Sequence, residues 1–334
     1  MKTQNVMNIT EYNFNISTGD SQKIQEPFIP IFIVFSILLF LTCIGIVGNG
    51  TVVWLLAFHM KRTPFTTYIL NLAIADIGVL ILSILECIYV VYEFIIAVLY
   101  HEAVSPLKYY IFAYVVSLFY NTDQFLLTAI SADRCVAVLF PVWHRCHRRP
   151  HLSRTVCVFM WVLSFLLSGL DILLIFVKQF TWLLFIVNVV ICTPLMALSA
   201  VILFVKICLK SQQHKRGKLL TTIFLALFFF LIFGFPVNYL TVFTYYDLLD
   251  DLVMVVFACT ILNCSVNPLI YFLVGRDKKS RSRLSMKVAL QRIFKDEENC
   301  RGKEAETQGD PPLPVPARFG ASCTIASALY FLVV

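Results

Sequence analysis

Charged side chains are scarce in this sequence. Asp, Glu, Lys and Arg make up 14% of its 334 residues, whereas 59% of the residues are hydrophobic. A water-soluble chain of this length needs more charge to cover its surface. Apolar runs long enough to cross a bilayer, about 20 residues each, recur along the chain instead. The composition therefore predicts a membrane protein and argues against a soluble one.

The sequence also lacks motifs that would indicate enzyme chemistry. Its 11 cysteines show no metal-ligand spacing, and no glycine-rich phosphate-binding loop is present. No candidate nucleophile is paired with a base. The formal charge of +7 comes from basic residues grouped after alternate apolar runs, which indicates contact with anionic membrane lipids or an acidic cytosolic partner rather than with nucleic acid. We predict neither an enzyme nor a nucleic-acid partner.

Seven apolar runs predict an all-α membrane protein with a seven-transmembrane helix bundle. Basic residues follow the first, third, fifth and seventh runs, so these ends are expected in the cytosol and the amino terminus on the outer side of the plasma membrane. Two N-x-S/T sequons, Asn8 and Asn15, are then expected to be glycosylated. The predicted spans are Pro30–Phe58, Thr66–Val91, Leu107–Phe140, Ser153–Val177, Phe180–Leu209, Lys218–Tyr245 and Leu248–Val274.

We divide the chain into four parts. Residues 1–29 form the extracellular arm, 30–275 the seven-transmembrane domain, 276–295 a short amphipathic cytosolic helix 8, and 296–334 a disordered tail. The fourth part is rich in Pro, Gly and charge, although its last segment is apolar. Helix 8 is expected to lie along the inner leaflet, because its apolar residues recur at helical spacing. They are Met286, Ala289, Leu290, Ile293 and Phe294.

Polar residues inside the apolar runs are informative, because lipid makes them costly. Asn49 lies in the first run, Asp76 in "LNLAIADIGVL" of the second, and Asp123 in "YNTDQFLLTAISADRC" of the third. The seventh run contains "ILNCSVNPLIYF". Any one of these groups alone could simply join two helices by hydrogen bonds. Their presence in several runs at matching depth predicts a shared polar core.

These motifs resemble, in order, the signatures of class A (rhodopsin-like) G protein-coupled receptors. The stretches that carry the resemblance are "NGTVVW", "LNLAIADIG", "DRC" and "NPLIY", together with Trp161 and Pro194, and they extend over roughly residues 30–295. More narrowly, "KRTPFTTYILNLAIAD", "FGFP" and "VNPLIYFLVG" resemble the Mas-related receptor family. The resemblance implies a receptor that senses an extracellular ligand and activates a heterotrimeric G protein.

The resemblance also assigns the residues of the cytosolic switch. Arg134 is expected to pair with Asp133 at rest and to move toward Tyr271 and the G protein on activation. An adjacent ion pair lowers the cost of burying the arginine and leaves it able to change partners. Asn267 and Pro268 complete the motif of the seventh run. The alternative is that Asp133 and Arg134 only mark the end of a helix near the headgroups.

Two departures from the class A pattern concern the sixth run. Arg216 stands where many such receptors have an acid that holds the switch arginine, so we predict measurable basal signalling. Gly234 stands where a tryptophan is common, two residues before Pro236, as in the Mas-related family. Pro236 still interrupts the backbone hydrogen bonds and favours a kink. Movement must then be coupled through other residues, such as Phe230 and Phe233.

Asp123 lies at a depth that faces Asp76, where related receptors have a small residue. Two neighbouring carboxylates require a cation or a proton between them. In class A receptors this pocket holds sodium, with Asn263 and Asn267 nearby, so the resemblance implies an allosteric sodium site here and no other cofactor. The alternative is that Asp123 is a protonated hydrogen-bond donor to another helix.

Acids in the outer halves of the spans indicate a cationic ligand, either a basic peptide or a small amphiphile. Asp171 lies at a position that is acidic in Mas-related receptors for cationic ligands, and Glu86 lies about three turns from Asp76. Tyr109, Trp182 and Tyr239 would offer ring faces to the cation. The alternative is that both acids are satisfied by neighbouring helices.

Other functions fit the sequence less well. A transporter is expected to show repeated halves with matched breaks in its spans, and none is evident. A channel is expected to show a pore-lining polar ring. A receptor-like protein with constitutive output, or one that modulates other receptors, remains an alternative because of the changes in the sixth run.

Overall fold

The computed structural model describes residues 28–100, 106–141, 144, 151–177, 183–209, 217–245, 251–276 and 285–294. Within these ranges it does not describe the side chains of residues 28–32, 90, 93–100, 106–110, 176, 209, 217, 239–245 and 251–253. The chain divides into two compact units, residues 1–40 and residues 41–334. The first unit contains the opening turns of the first helix, and the second contains every other described element.

The described residues are almost entirely helical, which confirms the predicted all-α fold. The fifth helix differs from the prediction because a π-helical segment interrupts it, and the second helix ends at Tyr100 rather than Val91. The helices are α1 (Phe28–Phe58), α2 (Pro64–Tyr100), α3 (Pro106–Leu139), α4 (Leu152–Phe176), α5 (Leu183–Phe185, the π-helical segment Ile186–Cys192, and Thr193–Leu209), α6 (Gly217–Tyr245), α7 (Asp251–Gly275) and α8 (residues 286–294).

The interruption of α5 has a local cause. Pro194 has no backbone N–H, so it cannot continue the ordinary hydrogen-bond ladder of an α-helix. The backbone N–H of Thr193 instead donates to the carbonyl of Asn188, five residues earlier. The Thr193 hydroxyl donates to the same carbonyl at 2.8 Å. The wider turn changes the direction of the side chains that precede it.

Six of the described helices are long and apolar enough to cross a bilayer. The other two are α8, which is too short, and α3, which has 34 residues but carries many polar ones. It packs against α2, α4, α5 and α6. Buried polar residues of α3 include Asn121, Asp123, Gln124, Asp133 and Arg134. Because α3 is surrounded by other helices, these side chains are shielded from lipid.

The outward faces of the other helices are apolar, as a lipid environment requires. On α4, for example, Val158, Phe165, Leu166 and Leu173 are all at least half exposed. The interior of the second unit contains a cluster of buried apolar side chains from α1 to α7 together with Leu290, Ile293 and Phe294 of α8.

The apolar face of α8 is packed against the rest of the protein. Ala289, Leu290, Ile293 and Phe294 are buried, and Met286 packs against the core. The described helix spans residues 286–294, within the predicted 276–295. Its apolar face is covered by protein rather than by lipid, because the end of α7 approaches it closely.

Gly275 permits this approach. A Cβ atom at Gly275 would lie 2.6 Å from the Cα atom, the Cβ atom and the carbonyl oxygen of Ala289. Backbone atoms of Ala289 cannot move aside without displacing α8. The helix therefore packs on α7 only where α7 ends without a side chain.

We predict that Gly275→Ala lowers the stability of the purified protein. Overpacking of this kind costs about 1–3 kcal/mol, so the thermal unfolding midpoint in detergent should fall. The matched control is Gly50→Ala in α1, where a Cβ would meet nothing within 4 Å. There alanine should be neutral or stabilising by about 0.5–1 kcal/mol, because glycine is unfavourable inside a helix. Equal midpoints for the two variants would contradict the packing of α8.

Candidate functional site

The end of α3 holds a buried acid between two basic side chains. Nη2 of Arg134 lies 3.1 Å from Oδ2 of Asp133. Nε2 of His144, in the segment after α3, lies 3.3 Å from Oδ1 of the same carboxylate. All three residues are buried, at 7–8% exposure. Both oxygens of Asp133 are therefore engaged, and the arginine is held beside its own neighbour in sequence.

Sequence analysis did not identify His144. It comes eleven positions after Asp133, and in a continuous α-helix the two residues would lie about 16 Å apart along the axis. Its backbone N–H donates to the carbonyl of Phe140 at 2.9 Å. That bond helps to hold the imidazole beside the carboxylate.

An aromatic pair links Arg134 to α8. The guanidinium carbon of Arg134 lies 4.6 Å from the centre of the Phe65 ring, a cation–π contact. Phe65 is fully buried in the first turns of α2. Its ring meets that of Phe294 edge-on, with the centres 5.7 Å apart. The charge of Arg134 is thus stabilised on one side by Asp133 and on another by a ring that rests on α8.

Deeper in the bundle, the polar core joins α2, α3 and α7. Carboxylate oxygens of Asp76 and Asp123 and the thiol of Cys264 lie within 4.8 Å of one another, and all three residues are buried. Asn263 donates to Oδ2 of Asp123 at 3.1 Å. Asn267 donates to Oδ2 of Asp76 at 3.0 Å. The structure thus brings together the four residues predicted for a sodium site and adds Cys264, which sequence analysis did not select.

The geometry of this core suits a cation. Oδ1 of Asp76 and Oδ1 of Asp123 are both buried without a hydrogen-bond partner. Unpartnered buried carboxylate oxygens are costly, and carboxylate and amide oxygens are the ligands that hard cations prefer. On α1, Asn49 donates to the carbonyl of Cys264 at 3.0 Å and fixes α7 from the other side.

A second polar network joins α3, α4 and α5, and sequence analysis missed it. Asn121 donates to the Ser168 hydroxyl at 3.1 Å and accepts from Asn188 at 2.7 Å. Ser117 donates to Ser168 at 3.2 Å, and Ser164 donates to the backbone of α3 at 2.7 Å. The polar run around Asp123 gave a signal for Asn121. Asn188 is likewise a polar residue inside an apolar run, which was a signal, but the sequence alone does not show which helix it faces.

The middle of α6 lies close to α3 near Gly234. The hydroxyl of Tyr120 donates to the carbonyl of Gly234 at 3.1 Å. Asn238 donates to the same carbonyl at 3.2 Å. Pro236 lies inside the helix, as predicted. On α7, Pro268 also lies inside its helix, and Tyr271 is buried.

The predicted ligand residues are only partly within the described structure. Asp171 on α4 and Glu86 on α2 are both partly exposed. The side chains of Tyr109 and Tyr239, and all of Trp182, lie outside the described residues. So do Asn8, Asn15, Arg216 and the tail 296–334. The ligand site and the glycosylation sites therefore stay predictions.

Comparison with known proteins identifies the family. Residues 48–271 match the model of the 7 transmembrane receptor (rhodopsin family). The chain is 35% identical over 331 residues to human "Proto-oncogene Mas", which covers 90% of this chain and 97% of that protein. The chain is a rhodopsin-family receptor of the Mas and Mas-related group. Its expected resemblance to this group is confirmed.

Other relatives agree. The receptor is 35% identical over 299 residues to rat "Mas-related G-protein coupled receptor member H", which covers 83% of this chain and 88% of the relative. It is 36% identical over 298 residues to human "Mas-related G-protein coupled receptor member D", covering 83% and 90%. Membership of this family makes the chain a multi-pass membrane receptor and a G protein-coupled receptor rather than a member of an enzyme family.

Proposed function

We propose that this receptor lies in the plasma membrane with its amino terminus outside and couples an extracellular cationic ligand to a heterotrimeric G protein. The single observation that carries the proposal is the buried Asp133–Arg134 pair at the end of α3, 3.1 Å apart. Buried ion pairs are a weak source of stability, so a side chain that can exchange partners is a better reason for burying this one. On activation Arg134 leaves Asp133 and reaches the G protein.

Two features suggest that the resting state is held loosely. Asp133 is shared between Arg134 and His144, and Arg216 stands where an acid would hold the arginine from α6. The constraint on Arg134 therefore comes from Asp133 and the Phe65 ring, which lie on its own helix and on α2. We expect some receptors to open without ligand.

The test is dissociation of a labelled heterotrimer in cells that express the receptor without added ligand and then with a panel of basic peptides. We expect a signal above mock transfection in the wild type and loss of nearly all of it in Arg134→Ala, since the charge that reaches the G protein is removed. Arg154→Ala, an exposed arginine at the start of α4 that contacts His151, serves as the matched control and should retain the signal.

If the wild type never exceeds mock under any peptide while it is present at the cell surface, coupling to a G protein is not its function. If Arg134→Ala and Arg154→Ala signal alike, the receptor couples, but not through the buried pair.

The ligand is proposed to be a basic peptide or small cationic amphiphile that contacts Asp171 and Glu86. Both acids are partly exposed in apolar helices, so each retains access to a polar partner. Acidic residues also concentrate toward the same end in the sequence around residues 247–251. Negative charge at an opening raises the local concentration of cations.

Charge reversal tests this ligand class. Asp171→Lys should raise the peptide concentration needed for half-maximal response by about 100-fold or more, which corresponds to about 2.7 kcal/mol. Surface expression, measured by antibody binding to intact cells, should be unchanged. Asp310→Lys in the tail makes the same charge change far along the sequence and should leave potency as in the wild type. Equal potency for Asp171→Lys and the wild type would refute the assignment.

Sodium is proposed as an allosteric ligand of the Asp76–Asp123 core. The proposal is supported by the two unpartnered carboxylate oxygens and by the two asparagines that orient the carboxylates. One sodium ion together with one proton would neutralise the two carboxylates and relieve the repulsion between them. A bound ion would join α2, α3 and α7 and stabilise the arrangement in which it fits.

Thermal unfolding of the purified receptor tests this site. Sodium chloride should raise the unfolding midpoint above that in choline chloride of the same ionic strength, because a ligand that binds only the folded state stabilises it. The rise should be smaller in Asp123→Ser and absent in Asp76→Asn. A sodium-dependent rise of equal size in the wild type and in Asp123→Ser would exclude Asp123 from the site.

A further inference from the structure

Tyr120 makes a hydrogen bond that the proposed switch does not use. Its hydroxyl donates to the backbone carbonyl of Gly234 at 3.1 Å. The bond crosses from α3 to α6, two residues before Pro236. The acceptor is a backbone carbonyl, so substituting side chains of α6 does not remove it. The bond forms only while the α6 backbone next to Pro236 lies close to α3.

The α6 side of this contact is shaped for it. A Cβ atom at Gly234 would collide with the ring of Phe230, which is fully buried. The Phe230 ring therefore lies over the Cα atom of Gly234, in space that any side chain at this position would need. Without a side chain at Gly234, the backbone carbonyl remains as the polar group that the residue offers to α3.

The proline makes this the weak point of α6. Pro236 has no backbone N–H, so the carbonyl of Ile232, four residues earlier, lacks its usual helical donor. The helix therefore bends more easily at this turn than elsewhere. Asn238 donates to the Gly234 carbonyl from within α6 at 3.2 Å. That bond lies within α6, whereas among the described residues it is the Tyr120 bond that connects this carbonyl to another helix.

The neighbouring turn of α3 makes a parallel connection. Asp123, three residues after Tyr120, accepts from Asn263 of α7 at 3.1 Å. Residues three apart lie on the same face of a helix. One face of α3 thus holds α6 by Tyr120 and α7 by Asp123, and α6 and α7 pack extensively on each other.

We propose that Tyr120 is the positioning residue that restrains α6: its hydrogen bond to the Gly234 carbonyl holds the segment around Pro236 against α3, and loss of this bond opens the end of α6 near Gly217. The role is that of a tether across the helix interface, carried by a tyrosine hydroxyl and a bare backbone carbonyl. The inference rests on the proposed G protein coupling for its consequence, but not for the tether itself.

The experiment measures opening of α6 and signalling separately. Ile223 lies in the first turns of α6 and is 3% exposed, so a cysteine in its place reacts with a soluble thiol reagent only when this end opens. The rate of labelling is measured in purified receptor carrying Ile223→Cys, with and without Tyr120→Phe. The rate in the corresponding receptor without Ile223→Cys is subtracted, because other cysteines are free. Heterotrimer dissociation without ligand is recorded in cells for the same substitutions.

Removal of one hydroxyl should raise the labelling rate at position 223 about threefold to tenfold, the range that follows from the net strength of one neutral hydrogen bond. Basal heterotrimer dissociation should rise in parallel. Tyr114→Phe is the matched control: it makes the same change on α3, where the ring packs edge-on against Phe165 of α4, and should leave both readings at the wild-type level. Asn238→Ala should also leave the labelling rate unchanged, because its bond lies within α6.

An unchanged labelling rate in Tyr120→Phe would overturn the tether. So would an equal increase in Tyr114→Phe, which would indicate general loosening of α3. Faster labelling together with no heterotrimer dissociation in any variant would support the tether and count against the proposed G protein coupling.

Discussion

The high cost of burying polar groups in a lipid-surrounded bundle governs the arrangement of α3. Asn121, Asp123 and Arg134 all lie on this one helix, and none of them is shielded by the helix itself. Asn121 and Asp123 have partners on other helices. Arg134 pairs with Asp133 of α3 itself and contacts the Phe65 ring of α2. These groups stay out of lipid only if α3 lies among neighbouring helices. The observed contacts of α3 with α2, α4, α5 and α6 satisfy that requirement.

The partners fall at two levels along α3. At its end, Asp133 holds Arg134 and His144. Near its middle, Asp123 faces Asp76 and binds Asn263. Two residues earlier, Asn121 joins α4 and α5. One helix therefore carries contacts to α2, α4, α5 and α7 from its middle and holds the Asp133–Arg134 pair at its end.

Much of this was accessible from the residues alone. The apolar runs predicted the positions of the helices because burial in lipid imposes a length and a composition on every span. The matching depth of Asp76, Asp123, Asn263 and Asn267 predicted one shared core, because polar side chains within membrane spans face the bundle interior rather than lipid. Other features left no such trace. His144 contacts Asp133 from beyond the end of α3, and Asn188 donates to Asn121 from the π-helical segment of α5.

The apolar face of α8 is a further example. Its helical spacing was correctly identified, but spacing alone does not distinguish a face turned to lipid from one covered by protein. The close approach of Gly275 to Ala289 shows that protein covers this face, and that approach depends on how α7 and α8 pack. The positions of the helices, the polar core and the receptor family could be predicted from the residues, because these follow from local composition and ordered motifs. Which side chains share a hydrogen bond, such as Tyr120 with Gly234, could not, because helix rotation and approach arise from packing among the helices.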